Sequence, residues 1–292
     1  MLNLDLLLQM LLNGLMSGGM YALVASGFTL ILGVLQVFNF AQGHFYMLGA
    51  YVTVGMAAGI GAPYPVAVIA AVAAMALLGA LLYTGVIRWT LPAGFFHTLL
   101  VTTAFGTIVN QVALLTFGRR EVAMPSVLPG ATRLGPVAVN NGKLIVVGGA
   151  LFVMLALYFF MKTKIGVSMR AAAENREVAS LQGINPKRIF WATMAVGCGL
   201  CGAAGSLIAP VLAVSSSAGT NIMIKAMLVV LVGGTGSMSG ALLAAFLIGL
   251  AESIAFQYLG QQSLVAIFAL VAVLVFFRPG GLLGRPLPIP GE

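Results

Sequence analysis

Side chains that make and break bonds are scarce in this chain, and their spacing rules out most of what they could do. There are 6 acids and 2 histidines, His44 and His97. The single aspartate, Asp5, stands at the extreme N-terminus, so a Ser/His/Asp relay lacks an acid to orient its base. Glu252 is the one acid well inside an apolar segment, so a carboxylate pair lacks its second member. The Gly-rich run from Gly233 to Gly240 has no Lys-Ser/Thr, without which a P-loop cannot hold phosphates. Cys198 and Cys201 form a C-x-x-C, but they sit in an apolar helical run with no second Cys or His pair. They read as buried thiols, not as a metal or redox site. These residues support no enzyme and ask for no metal or cofactor of the chain's own.

A different chemistry lies between Lys162 and Arg188, KTKIGVSMRAAAENREVASLQGINPKR, which is made for water in a chain otherwise made for lipid. Ser168 or a neighbour can start a helix of good helix formers over Met169 to Gln182. Gly183 suits a left-handed helix end, and Pro186 cannot continue the helix. Glu177, Ala179 and Gly183 fit E-x-A-x-x-x-G. Such a helix offers Met169, Ala172, Ala173 and Leu181 as apolar contacts, with Glu174, Arg176 and Glu177 alongside. That mixture suits insertion into a groove of a soluble partner, with the charges setting register. A solvated interfacial helix is the alternative.

The elements that must position these residues are membrane spans. The chain is 61% hydrophobic and 7% charged, with a mean hydropathy of +1.09, where soluble proteins carry about 25% charged residues. Apolar runs long enough to cross ~30 Å of hydrocarbon recur. The fold class is therefore an all-α polytopic membrane protein, one domain over 1–292 with eight or nine transmembrane helices. The first segment, without a basic leader, reads as a retained span. The formal charge of +8 needs no nucleic acid partner, because the basic residues fall in short loops as the positive-inside bias predicts. That bias places 162–188 in the cytoplasm together with Arg88, Arg278 and Arg285. Residues 118–143 become an irregular external loop, and the N-terminus lies outside.

Two Gly-interrupted stretches, 33–43 and 233–240, lie in opposite halves of the chain. Paired broken segments point to the substrate path in repeat-built transporters, since irregular backbone at membrane depth survives only under protein or beside a watery cavity. Asn39, Gln42 and His44 at the first break, with Glu252 in a later span, are the candidate path residues. Lys225 is expected to snorkel to the surface. Thr102, Thr103, Asn110 and Gln111 are expected to serve helix–helix contacts.

The motif at Glu177–Gly183 resembles the EAA-type coupling loop of ABC importer permeases, where a cytoplasmic helix docks on the ATPase. Over nearly its full length the chain resembles the LivH-type permease of the branched-chain (hydrophobic) amino acid uptake family. The resemblance rests on the order and spacing of Gly14-Leu15, Tyr21-Ala22-Leu23, Asn39-Phe40-Ala41-Gln42-Gly43, Met47-Leu48-Gly49-Ala50-Tyr51, Met169-Arg170-Ala171, Gly183-Ile184-Asn185 and Arg278-Pro279-Gly280-Gly281-Leu282. The chain departs from the family at Gln42, where many relatives have His, and at Val178, where importers prefer Ala. The resemblance implies a multi-pass protein of the bacterial inner membrane that pairs with a LivM-like second permease. Two cytoplasmic ATPase subunits would consume the ATP, and a periplasmic solute-binding protein would deliver the cargo. Arg170, Glu174, Glu177, Ala179 and Gly183 would then couple to the ATPase. Uptake of urea or short amides is the alternative within the family; a self-contained channel or secondary carrier is the alternative outside it.

Overall fold

The computed structural model describes residues 4–125, 127–128, 130–134, 137–278 and 280–284. In chain order the elements are α1 (Leu4–Leu35), α2 (Gln42–Val54), α3 (Tyr64–Leu82), α4 (Arg88–Thr90), α5 (Phe95–Phe117), β1 (Ala131–Leu134), β2 (Val137–Asn140), α6 (Asn141–Lys162), α7 (Lys164–Glu174), α8 (Arg176–Leu181), α9 (Pro186–Ile208), α10 (Ala218–Gly233), α11 (Met238–Leu259) and α12 (Ser263–Phe277). Turns of π-helix extend α2 over Gly55–Gly59 and join α3 to α4 over Tyr83–Ile87.

Two antiparallel helices, α1 and α9, cross at the centre, and glycine is what lets them meet. A Cβ on Gly27 would stand 2.5 Å from the Gly197 carbonyl oxygen, and one on Gly197 would stand 3.0 Å from the Gly27 carbonyl oxygen. Without a hydrophobic drive between helices in lipid, such close backbone packing supplies the association energy. Each central helix is then followed by a break, a short helix and a long helix that packs on the other central helix. Thus α2 and α3 lie on α9, and α10 and α11 lie on α1. The order of packing repeats with inverted direction, the arrangement that places broken segments at a shared interface.

Among the described residues six helices are long and apolar enough to cross a membrane, and α10 and α12 are shorter apolar helices. Eight or nine full crossings were expected; fewer helices are long enough, because non-helical chain between α1 and α2 and between α9 and α10 leaves α2 and α10 short. Residues 118–143 are not irregular throughout: β1 and β2 pair antiparallel, with Ala131 opposite Asn140 and Leu134 opposite Val137. Val122 also forms a bridge with Val214 beyond α9. At the opposite end lie Arg88, Lys187 and Arg188, which share one pocket, and Arg170, which lines another with Gly236. Arg285 and Pro279 fall outside the described residues.

Candidate functional site

The first break reverses the chain. After α1, Gln36 takes a left-handed φ of 57°, the sole non-glycine to do so among the described residues, and such backbone persists only where its surroundings enforce it. Extended chain then returns along α1 until Gln42 Nε2 lies beside Gly27, about 12 Å back from the end of α1 at Leu35, at 1.5 Å per residue. Thr102 Oγ1, fully buried, accepts from Phe40 N–H at 3.4 Å and bonds the Phe38 carbonyl oxygen at 3.3 Å. Asn39 Oδ1 accepts from Ala41 N–H at 3.1 Å. Unpaired peptide groups at this depth would each cost several kcal/mol, about 2–7 by transfer measurements, so these side chains are what permits the break.

At its end α2 begins, and there it meets the start of α10. A Cβ on Gly43 would overlap the Gly219 carbonyl oxygen, and one on Gly219 would stand 3.0 Å from the Gly43 carbonyl oxygen. Two helix N-termini, each a partial positive charge, thus converge on one point inside the bundle. Asn39 is 1% exposed and Gln42 0%. Gln42 Nε2 donates to the Gly197 carbonyl oxygen at 3.2 Å. Asn39 Nδ2, Gln42 Oε1 and the half-buried His44 Nδ1 have no partner among the described residues. Buried polar atoms in folded proteins are nearly always bonded, so a cluster of orphans marks a place built for something else.

Glu252 does not join that cluster. Its carboxylate accepts from Lys225 Nζ at 2.5 Å and from the Tyr21 hydroxyl, while Lys225 Nζ also reaches Tyr21 Oη at 3.0 Å. Lys225 therefore does not snorkel: a carboxylate on the facing helix gives it a partner inside the bundle, which lipid could not. Of the four polar residues assigned to helix contacts on α5, Thr102 bonds the extended chain at Phe38 and Phe40 rather than another helix. Thr103 bonds its own helix at the Leu99 carbonyl oxygen, and Gln111 is exposed.

The charged stretch forms two helices, not one. Thr163, rather than Ser168, caps α7. Asn175 breaks the run with φ −155° and ψ 112°, and its Oδ1 accepts from the N–H groups of Glu177 and Val178 to start α8. Asn competes with helical backbone in this way and favours caps. Gly183, at φ 82°, ends α8 as expected, with Ile184 N–H donating to the Ala179 carbonyl oxygen. Asn185 caps α9 with Pro186 in its first turn.

Met169 and Ala172 are buried against the bundle and so anchor the elbow, where an outward face was expected. Arg176 also turns inward, donating to the Val34 carbonyl oxygen at 3.0 Å with its guanidinium 4.8 Å from the Phe190 ring centre. Burial lowers its pKa from the ordinary arginine value. Arg170 donates to the Met161 carbonyl oxygen at the end of α6. What faces outward is Glu174, Glu177, Val178 and Leu181, the last 87% exposed. The short helix α8 thus ends in an exposed leucine next to Glu177 and is fixed on its other side to α1 and α9 through Arg176.

The profile of the family described as branched-chain amino acid transport system / permease component matches residues 10–277. The chain belongs to that family. It is 30% identical over 314 residues to the permease protein BraD of the high-affinity branched-chain amino acid transport system of Pseudomonas aeruginosa, with 96% of each chain covered. It is 29% identical over 315 residues to the corresponding LivH of Escherichia coli, again with 96% of each covered. In fold it is similar to a chain of PsaBC from Streptococcus pneumoniae solved in complex with Fab, at a TM-score of 0.50 and 13% identity, covering 92% of this chain and 91% of that one. This permease component is thus a multi-pass membrane protein of an ABC transport system, working with other subunits and hydrolysing no ATP itself.

Within this permease, sequence reasoning missed Tyr21, Gly219 and the pairing of Lys225, and it gave Arg176 to the partner-facing charges, whereas Arg176 turns inward. A lone lysine and a lone glutamate in separate apolar segments were the available signal for the ion pair. For Gly219 the signal was its place in the polar patch 215–221, the counterpart of Asn39–Gly43 in the other half.

Proposed function

We propose that this permease is half of the pore of an ATP-driven importer for branched-chain, hydrophobic amino acids in a bacterial inner membrane. The other half is a LivM-like permease; two cytoplasmic ATPase subunits dock on the α7–α8 elbow, and a periplasmic solute-binding protein delivers cargo at the β-hairpin end. The observation that carries this reading is the meeting of α2 and α10. Their N-termini suit a carboxylate, and the free Gln42 Oε1 suits an ammonium group. A zwitterion passing between the permease halves would find both, with few charges to hold it tightly. Asn39, Gln42 and His44 line this path, while Glu252 holds α10 in place from behind.

Coupling passes through Glu174, Glu177, Ala179 and Gly183, with Arg170 tying α7 to α6. Glu177→Lys or Gly183→Val is expected to lower uptake about tenfold or more, the equivalent of ~1.4 kcal/mol lost at the docking surface, while the protein still inserts. Valine at the left-handed Gly183 position adds strain of about 1–2 kcal/mol. The assay is ATP hydrolysis and uptake by the whole complex in proteoliposomes; full uptake by well-inserted variants would sink the coupling role.

The orientation is tested separately. Cysteines at Gln182→Cys and Arg120→Cys should react with a membrane-impermeant thiol reagent from opposite faces, the first from the cytoplasm. The native Cys198 and Cys201 are buried, so background labelling is low. Labelling of both sites from one face would refute the topology.

A further inference from the structure

A second site lies at the α7–α8 end of the bundle, away from both the helix junction and the exposed face of α8. Arg88, Lys187 and Arg188 rim a pocket of about 530 Å³ between the π-turn after α3 and the first turns of α9. No acid lines it, and among the described residues the ion pair is Lys225–Glu252, so this rim is uncompensated positive charge. The N-terminus of α9, a helix of 23 residues, adds its partial charge at the same place. Below the rim the wall turns apolar, with Ile189, Trp191 and Ala192 of α9 on one side and Ile165 of α7 beside them. The chain's 2 tryptophans are both exposed: Trp191 lines the pocket, and Trp89 stands under Arg88, its ring centre 5.4 Å from the guanidinium; tryptophan collects at the level of lipid headgroups.

We propose that this pocket binds an anionic phospholipid, its phosphate held by Arg88, Lys187 and Arg188 and its glycerol and upper acyl chain lying against Trp191 and Ile189. A cationic rim over an apolar floor matches that amphiphile. A free phosphate would use only the rim, and an acidic protein surface would have no use for a floor that faces hydrocarbon. The site places the lipid against the base of α9, one turn beyond the Gly183–Asn185 link from the coupling helix, so lipid charge bears on how firmly that link is seated. That the leaflet is the cytoplasmic one rests on the orientation proposed above; binding itself does not.

The test uses the intact permease in its complex. Dibrominated phosphatidylglycerol in mixed micelles should quench the intrinsic tryptophan fluorescence of the wild type well beyond dibrominated phosphatidylcholine at equal mole fraction. Native mass spectrometry should show retained phosphatidylglycerol. Each basic residue near a charged membrane surface contributes a factor of about five, so the triple variant Arg88→Gln/Lys187→Gln/Arg188→Gln should weaken retention about a hundredfold. Arg119→Gln/Arg120→Gln, at the other end, should leave it unchanged. Equal quenching by the two lipids, displacement by inorganic phosphate at millimolar concentration, or undiminished retention by the triple variant would overturn the proposal. The quenching experiment needs no variant, so a triple variant that misfolds leaves a decisive measurement. Brominated lipid confined to one leaflet of proteoliposomes then reads the orientation independently of the binding.

Discussion

Gly43→Val should abolish amino acid uptake, lowering it at least a hundredfold in proteoliposomes at matched protein levels. Even the first carbon of a side chain at Gly43 overlaps the Gly219 carbonyl oxygen and comes within 2.7 Å of Met223 Cβ. The obstacle is backbone, so no rotamer change relieves it. α10 must move away from α2, opening the one place where both short helices begin. Overpacking costs about 1–3 kcal/mol where side chains can yield, and more where the backbone must. Contrast comes from Asn39→Ala and Gln42→Leu, which remove polar atoms without adding bulk. The Gln42 substitution also gives up its bond to Gly197. Removing such groups costs about 1–3 kcal/mol at most, so these variants should insert and assemble yet transport about tenfold more slowly. Normal uptake by well-expressed Gly43→Val would mean that the contact at Gly219 has no part in the path.

The different fates of the sequence expectations have physical reasons. Hydropathy made the membrane class plain, because each long span carries its signal within itself. The first break was also legible, since glycine and polar residues at 33–43 interrupt a run that lipid would otherwise require to be continuous; its counterpart lies between α9 and α10, whereas 233–240, expected as the second break, is the tight turn from α10 to α11. Gly183 and Pro186 read correctly because helix ends are local. By contrast, Asn175 was hidden inside a stretch of good helix formers; only its side-chain bonds to Glu177 and Val178 N–H show that it caps a second helix. The face of α7 was misjudged for a related reason. Met169 and Ala172 satisfy the pattern for an apolar contact equally well whether the contact is a partner or the permease's own bundle. The partner of Lys225 lies 27 positions later, and no local pattern ties two such residues together. That Gly43 meets Gly219 is likewise a fact of tertiary structure, although the inverted packing order of the two halves supplies a reason for it: related breaks come together at the axis that relates them.

The Lys225–Glu252 pair gives the second large effect, and it decides what that charge is for. Its side chains are 24% and 17% exposed, so neither ion is well hydrated, and both are held by helices that the pair ties together. Lys225→Met would leave a carboxylate in the bundle with only the Tyr21 hydroxyl. Breaking one member of a buried pair costs about 3–5 kcal/mol, whereas replacing both with apolar or neutral groups is often close to neutral. The double variant Lys225→Met/Glu252→Gln should therefore recover most of the stability lost by Lys225→Met, measured by unfolding in mixed micelles. It should also recover most of the uptake if the pair is a pin holding α10 on α1 and α11. A charge relay behaves otherwise, since a neutral methionine and amide carry no proton between them. Recovery of stability without uptake would contradict the pin. A stable Lys225→Met single variant would contradict the burial argument itself. The pin is the stronger reading on geometry: Tyr21, Lys225 and Glu252 bond mutually, and about 9 Å further back along α10, at 1.5 Å per residue, lies the Gly219 contact that the pair keeps in register.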